Sequence, residues 1–187
     1  MAKETEEKTL VERFCRGDDS AFDRIVEQYS AGVAALANRV LGWPQDVEDI
    51  VQDVFVAAFV GLKRFRGDCR LRTWLFTITI NKCRSHRYRR VLRLRRAALE
   101  EAEATLVSGD NAEQAALADE TLVQVRRAVR ALPAKYREVV ALRYLQELET
   151  SEICEILGIS ANTMQVRLNR ARKRLRQNLP QITEERS

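Results

Sequence analysis

Apolar residues recur at steps of three and four along most of this chain, the spacing of one helix face after another. Leu10, Val11 and Phe14 predict a short helix that ends near Gly17, after a frayed stretch over 1–8. Phe22, Ile25, Val26, Tyr29, Val33, Leu36, Ala37 and Val40 form the stripe of a longer helix, with Ser20 as its expected cap and Gly42 and Pro44 as its breakers. Pro44 suits the first turn of the next helix, whose positive end is favoured by Asp46, Glu48 and Asp49. Val47, Ile50, Val51, Val54, Phe55, Ala58 and Leu62 give that helix a wide buried face. Thr73 is expected to cap a fourth helix, with Trp74, Leu75 and Ile78 on one side and Thr77, Asn81, Arg84 and Tyr88 on the other. Leu122, Val125, Val129 and Leu132 mark a helix stopped at Pro133, and Tyr136, Val139, Val140 and Leu145 mark the next. No alternating strand pattern and no internal repeat occurs, so the expected class is all-α.

The clearest local signal runs from Thr150 to Arg176. Ile153, Ile156 and Leu157 make a short helix, Gly158 supplies a left-handed turn, and Ser160 caps a second helix. Met164, Leu168, Ala171 and Leu175 are that helix's apolar face. Its other faces carry Gln165, Arg167, Asn169, Arg170, Arg172, Lys173, Arg174 and Arg176, and no acid occurs between Glu155 and Glu184. This is the pattern of a helix-turn-helix, whose second helix enters the major groove and reads base edges with amide and guanidinium donors. The alternative is a helical hairpin with a solvated basic face.

Charge divides the chain more sharply than its net value of +5 suggests. From Cys69 to Leu99 there is no acid, while Arg70, Arg72, Lys82, Arg84, Arg87, Arg89, Arg90, Arg93, Arg95 and Arg96 are interleaved with Trp74, Phe76 and Tyr88. Such a stretch suits a nucleic-acid strand whose bases stack on aromatics, or else an anionic lipid surface. At Ala97 the composition flips, and the segment to Glu120 has seven acids and no Lys or Arg. It reads as a linker, helical at its edges and loose in the middle. The expected organisation is therefore a domain over 1–96, an acidic linker over 97–119 and a helix-turn-helix domain over 120–187.

Glu48, Asp49, Gln52, Asp53 and Val56 fall outside the buried face of the third helix. With Phe59 they form either a solvated acidic face or a docking face for a partner, and spacing alone does not choose between these. The one His and four Cys of the 187 residues are scattered without a CxxC pair, so neither a metal site nor a cofactor is expected. No pair of catalytic groups stands out, and His86 sits in a basic run suited to phosphate contact. The polar N-terminus has no signal-peptide core and no apolar run approaches a membrane span, which favours a cytoplasmic protein with reduced thiols.

The segments AFDRIVEQY, DVEDIVQDVF, RFRGDCRLRTWLF with Asn81 behind it, and LPAKYREVVALRY before the helix-turn-helix occur in an order that resembles a bacterial sigma factor of the extracytoplasmic-function group. The resemblance runs from about Leu10 to Leu179. It implies two small helical domains joined by a flexible linker, core RNA polymerase as partner, and promoter DNA as ligand. Glu48, Asp49, Gln52, Asp53 and Val56 would dock on the polymerase. Arg66, Asp68, Cys69, Trp74, Thr77, Asn81, Arg84, Arg87 and Tyr88 would bind and help melt the downstream −10 element. The linker would thread toward the polymerase cleft. Ser160, Asn162, Thr163, Gln165, Val166, Arg167, Asn169, Arg170 and Lys173 would bind the upstream −35 element as duplex. An anti-sigma factor or equivalent regulator is a further implied partner.

Several positions depart from the family pattern. Asn162 stands where Gly is usual, Gln165 and Val166 where a basic residue and Ser are frequent, Ser85 where an acid is common, Cys69 where Ser is common, and Cys154 in a small-residue slot. These bear on promoter sequence rather than on fold. The rival readings are a stand-alone helix-turn-helix regulator and a basic membrane-surface or RNA-binding adaptor.

Overall fold

The computed structural model describes residues 2–100 and 120–179, so most of the expected acidic linker and the last eight residues lie outside the description. Among the described residues every regular element is helical. The first unit comprises α1 (Ala2–Cys15), α2 (Ser20–Leu41), α3 (Val47–Leu62) and α4 (Leu71–Glu100). The second comprises α5 (Glu120–Ala131), α6 (Ala134–Val140), α7 (Thr150–Leu157) and α8 (Ala161–Asn178).

In the first unit α2, α3 and α4 pack against one another and α1 lies on α2. The predicted stripe of α2 is buried along its length, except that Val26 is only half-buried. Gly42 ends this helix at φ 81°, a conformation that costs glycine nothing. Pro44–Asp46 form a single 3₁₀ turn leading into α3. Ile50, Val54, Phe55, Ala58 and Leu62 of α3 face the core.

Three local expectations are corrected. The N-terminal stretch is not frayed throughout: α1 begins at Ala2, and Glu7 accepts hydrogen bonds from the Tyr29 hydroxyl and, at 3.4 Å, from the Leu71 amide. Ser20 does not cap α2; its hydroxyl donates to Asp18 Oδ1 at 2.6 Å, and Asp19 holds the cap position. Thr73 does not cap α4, which starts two residues earlier, and is buried within its first turn.

In the second unit α6 and α8 pack closely, with α5 and α7 against α8. After α6 the helix continues as one π turn over Ala141–Leu145, where the Gln146 amide donates to Ala141 O at 3.1 Å. A π turn adds a residue, so the apolar register slips. Ala141 and Leu142 are buried while Leu145, expected on the buried face, is exposed. Glu149 and Glu152 form a reciprocal capping box on α7, and Gly158 makes the left-handed turn at φ 63°. Ser160 caps α8 as expected, accepting from the Thr163 amide at 3.2 Å.

The two units touch. α7 packs on α4, and α6 with the π turn packs on α2. Val139, Leu142, Leu148, Ile153 and Met164 belong to the same buried apolar cluster as the residues of the first unit. Leu132, Tyr136, Val140 and Ala171 form a smaller cluster inside the second unit.

Candidate polymerase and nucleic-acid interfaces

The outer face of α3 exposes Glu48, Asp49, Gln52, Asp53 and Val56 together. Val60 extends it at 72% exposure, and Phe59 is 43% exposed although its ring meets those of Phe14 and Phe22 edge-on at 5.1 Å. Sequence reading missed Val60, which lies one helical turn beyond Val56 and so carries the stripe on. An apolar strip edged by acids on an exposed face has the composition of an interaction surface. Lys82 of α4 reaches Asp53 at 3.7 Å, an exposed ion pair of little energetic weight.

The loop before α4 and the face of α4 hold the second set. Arg66 and Asp68 are exposed in the loop, and Gly67 turns it at φ 76°. Trp74 is half-buried with its ring 5.1 Å from that of Phe65, and a Cβ on Gly61 would come within 3.1 Å of it. Asn81 is exposed and Tyr88 is 66% exposed, so both are open to a ligand. Thr77 is half-buried with its hydroxyl donating to Thr73 O at 2.9 Å. Phe76, read as a stacking aromatic, is instead a core residue, with the Arg72 guanidinium over its ring. His86 Nε2 lies 3.9 Å from Asp46 Oδ2, and Arg90 bonds the same carboxylate at 3.1 Å while covering the Trp43 ring.

Other members of this set face the second unit. Arg84 Nε and Nη2 donate to the two Glu138 oxygens at 3.2 and 2.8 Å, and Arg87 Nη2 lies 3.6 Å from the same carboxylate. Burial and a hydrogen bond from its thiol to Glu155 push Cys69 up to about 11. Burial pushes the core thiol of Cys83 up to about 12.

The third surface is on α8. Asn162, Gln165, Val166, Asn169 and Lys173 are exposed along one side of the helix, opposite buried Met164, Leu168 and Ala171. Ser160 and Thr163 are occupied with the cap, and Arg167 is half-buried. Two basic residues are tied back to the scaffold. Arg170 bonds the Tyr136 hydroxyl, which lowers the pKa of that phenol, and Arg172 Nε donates to the Tyr144 hydroxyl at 2.8 Å. The residues not foreseen are Glu138 and Gln146, both buried, and Arg137, whose Nη1 donates to Leu41 O at 3.2 Å.

Residues 25–100 match the Sigma-70 region 2 family and residues 122–175 match Sigma-70, region 4. The chain is 31% identical over 180 residues to the RNA polymerase sigma-H factor of Pseudomonas aeruginosa, covering 92% of this chain and 93% of that one. It is 32% identical over 180 residues to the ECF RNA polymerase sigma-E factor of Escherichia coli strain K12, covering 92% and 94%. This chain belongs to the sigma-70 family, extracytoplasmic-function group. Among solved structures it is similar to CnrH in complex with the cytosolic domain of CnrY, with TM-score 0.67 and 27% identity over 97% of this chain and 99% of that one. The fold also matches the Bartonella quintana sigma factor RpoE, solved with the anti-sigma factor NepR, at TM-score 0.68 and 24% identity over 86% and 97%. In this sigma factor the described part of the region 2 match covers α2, α3 and α4, and the region 4 match covers α5 to α8.

Proposed function

We propose that this sigma factor divides promoter recognition among the three surfaces described above. The chain binds core RNA polymerase and directs it to promoters. The face of α3 from Glu48 to Val60 docks on the polymerase. The loop with Arg66 and Asp68, together with Trp74, Asn81 and Tyr88, engages the −10 element as an opened strand, where aromatics stack and an amide reads an extruded base. Arg84 and Arg87 hold its phosphates. Gln165, Val166 and Asn169 read the −35 duplex, while Arg167, Arg170 and Lys173 position the backbone.

The chain divides into 1–96, 97–119 and 120–187, with the acidic segment threading toward the polymerase cleft. The chain itself performs no chemistry, acts in the cytoplasm beside polymerase and uses no cofactor. Among the described residues no helix is long and apolar enough to cross a membrane. A regulatory partner, an anti-sigma factor or its equivalent, controls its access to polymerase.

The observation that carries the reading is the exposure of Asn81 and Tyr88 on one unit and of Gln165 and Asn169 on the other. Two separate base-reading surfaces suit two promoter elements, whereas a stand-alone regulator needs only the second. A mobility-shift assay on a promoter duplex discriminates between them. The sigma reading predicts a specific complex only when core polymerase is added. Tight, sequence-specific binding by the chain alone would favour the regulator.

A further inference from the structure

Glu138 is a carboxylate on α6, yet it is only 2% exposed. It is not part of the apolar stripe of its own helix, since Tyr136, Val139 and Val140 define that face. What covers it is α4. Burying an ionised carboxylate is unfavourable unless strong partners replace its water. Here Arg84 grips both oxygens at 3.2 and 2.8 Å and Arg87 approaches at 3.6 Å. That forked grip is the geometry with which a guanidinium holds a phosphate.

The same border recurs around this pair. Arg72 Nη2 donates to Gln146 O at 2.9 Å and to its Oε1 at 3.0 Å. Arg70 reaches Glu152 at 3.7 Å, and the Cys69 thiol bonds Glu155. The second unit thus places carboxylates and a carbonyl on the basic strand-binding surface of the first. The fit is incomplete on the donor side. Arg87 Nη1 and Arg137 Nε are buried with no hydrogen-bond partner among the described residues. Burial, with Arg87 beside it, lowers the pKa of Arg137. Buried guanidinium N–H donors are thus left over, as they would be on a surface that serves an anion with more oxygens than one carboxylate has.

We propose that Glu138 is an intramolecular latch: its carboxylate takes the place of a DNA phosphate between Arg84 and Arg87, holding the free chain closed until nucleic-acid phosphates displace it. The apolar contact between the units supplies attraction, and the ionic cluster fixes how they sit. The latch rests on the reading of Arg84 and Arg87 as promoter-strand contacts.

The test uses the full chain, wild type and Glu138→Gln, with circular dichroism to establish folding. Three quantities are measured without polymerase: the radius of gyration by X-ray scattering, the alkylation rate of Cys69 by iodoacetamide at pH 8, and affinity for a short single-stranded DNA of random sequence. Glu138→Gln is expected to expand the chain, to speed Cys69 alkylation about tenfold as the thiol leaves Glu155, and to raise strand affinity several-fold. If Glu138→Gln fails to fold, Gln146→Ala, which removes one acceptor of Arg72, takes its place with the same direction of change. Unchanged size and unchanged Cys69 alkylation would overturn the latch. Expansion with no gain in strand affinity would overturn the phosphate-mimic role and, with it, the assignment of Arg84 and Arg87 to the promoter strand.

Discussion

Gln165 and Asn169 stand one turn apart on the open side of α8, with Gln165 Nε2 donating to Asn169 Oδ1 at 3.3 Å. The bond orients both amides outward as a pair. It leaves Gln165 Oε1 as acceptor and Asn169 Nδ2 as donor, the complement of adenine N6 and N7. Val166 beside them offers an apolar contact to a thymine methyl.

An A- and T-containing core is therefore expected in the −35 element rather than a run of G. Gln165→Arg should shift preference toward G at one position, with discrimination of about 1–3 kcal/mol for a good bidentate pair. It also frees Asn169, so a smaller change is expected at the neighbouring base. Selection from a randomised −35 library with wild-type and mutant holoenzyme measures both. Identical preferences at every position would remove Gln165 from the reading.

Asn81 is exposed on α4 with Trp74 and Tyr88 on the same helix, and no hydrogen bond within the chain claims its amide in the described contacts. Asn81→Ala should reduce promoter opening while leaving polymerase binding and thermal stability unchanged. Permanganate reactivity of bubble thymines reports opening directly. Wild-type reactivity in the variant would show that Asn81 reads no base.

Val60 is 72% exposed, so its replacement costs the fold little. Val60→Asp should leave the melting temperature near that of wild type and weaken core polymerase binding about tenfold, equivalent to about 1.4 kcal/mol. Surface plasmon resonance with immobilised core polymerase measures it. Phe59→Ala is a less clean test because its ring also packs on Phe14 and Phe22.

The thiols give a pH-dependent expectation. Cys69 is pushed up to about 11 and Cys83 to about 12, in both cases first by burial, so both are protonated at pH 8. Only the thiolate reacts. Cys69 alkylation in the closed wild-type chain should therefore rise steadily from pH 8 toward pH 11, and Cys83 should stay unmodified in the folded chain. Mass spectrometry of the peptides follows each. A Cys69 rate that levels off near pH 8 would contradict its burial beneath Glu155.

Helices and their faces were legible in the sequence because the apolar period is regular and breakers are few. The turn at Gly158 and the cap at Ser160 are local signals, and both stand as expected. The misreadings share a different cause. Glu7 is ordered by Tyr29 and Leu71, partners 22 and 64 residues away. Leu145 turns outward because a π turn inserts a residue into an otherwise continuous stripe. Phe76 looked like a stacking aromatic because it sits among arginines, yet it lies on the buried side of α4. Glu138 gave no signal at all, since the surface that buries it belongs to another unit of the fold.

That this chain makes core polymerase promoter-specific can be read out by run-off transcription. Purified chain, bacterial core polymerase and a template carrying a candidate promoter are combined, with each protein also assayed alone. A discrete transcript from one start site is expected only when both proteins are present, reduced by Asn81→Ala and lost on alteration of the −35 element. No discrete transcript from any promoter the chain's overexpression induces in cells, or the same transcript from core polymerase alone, would contradict it.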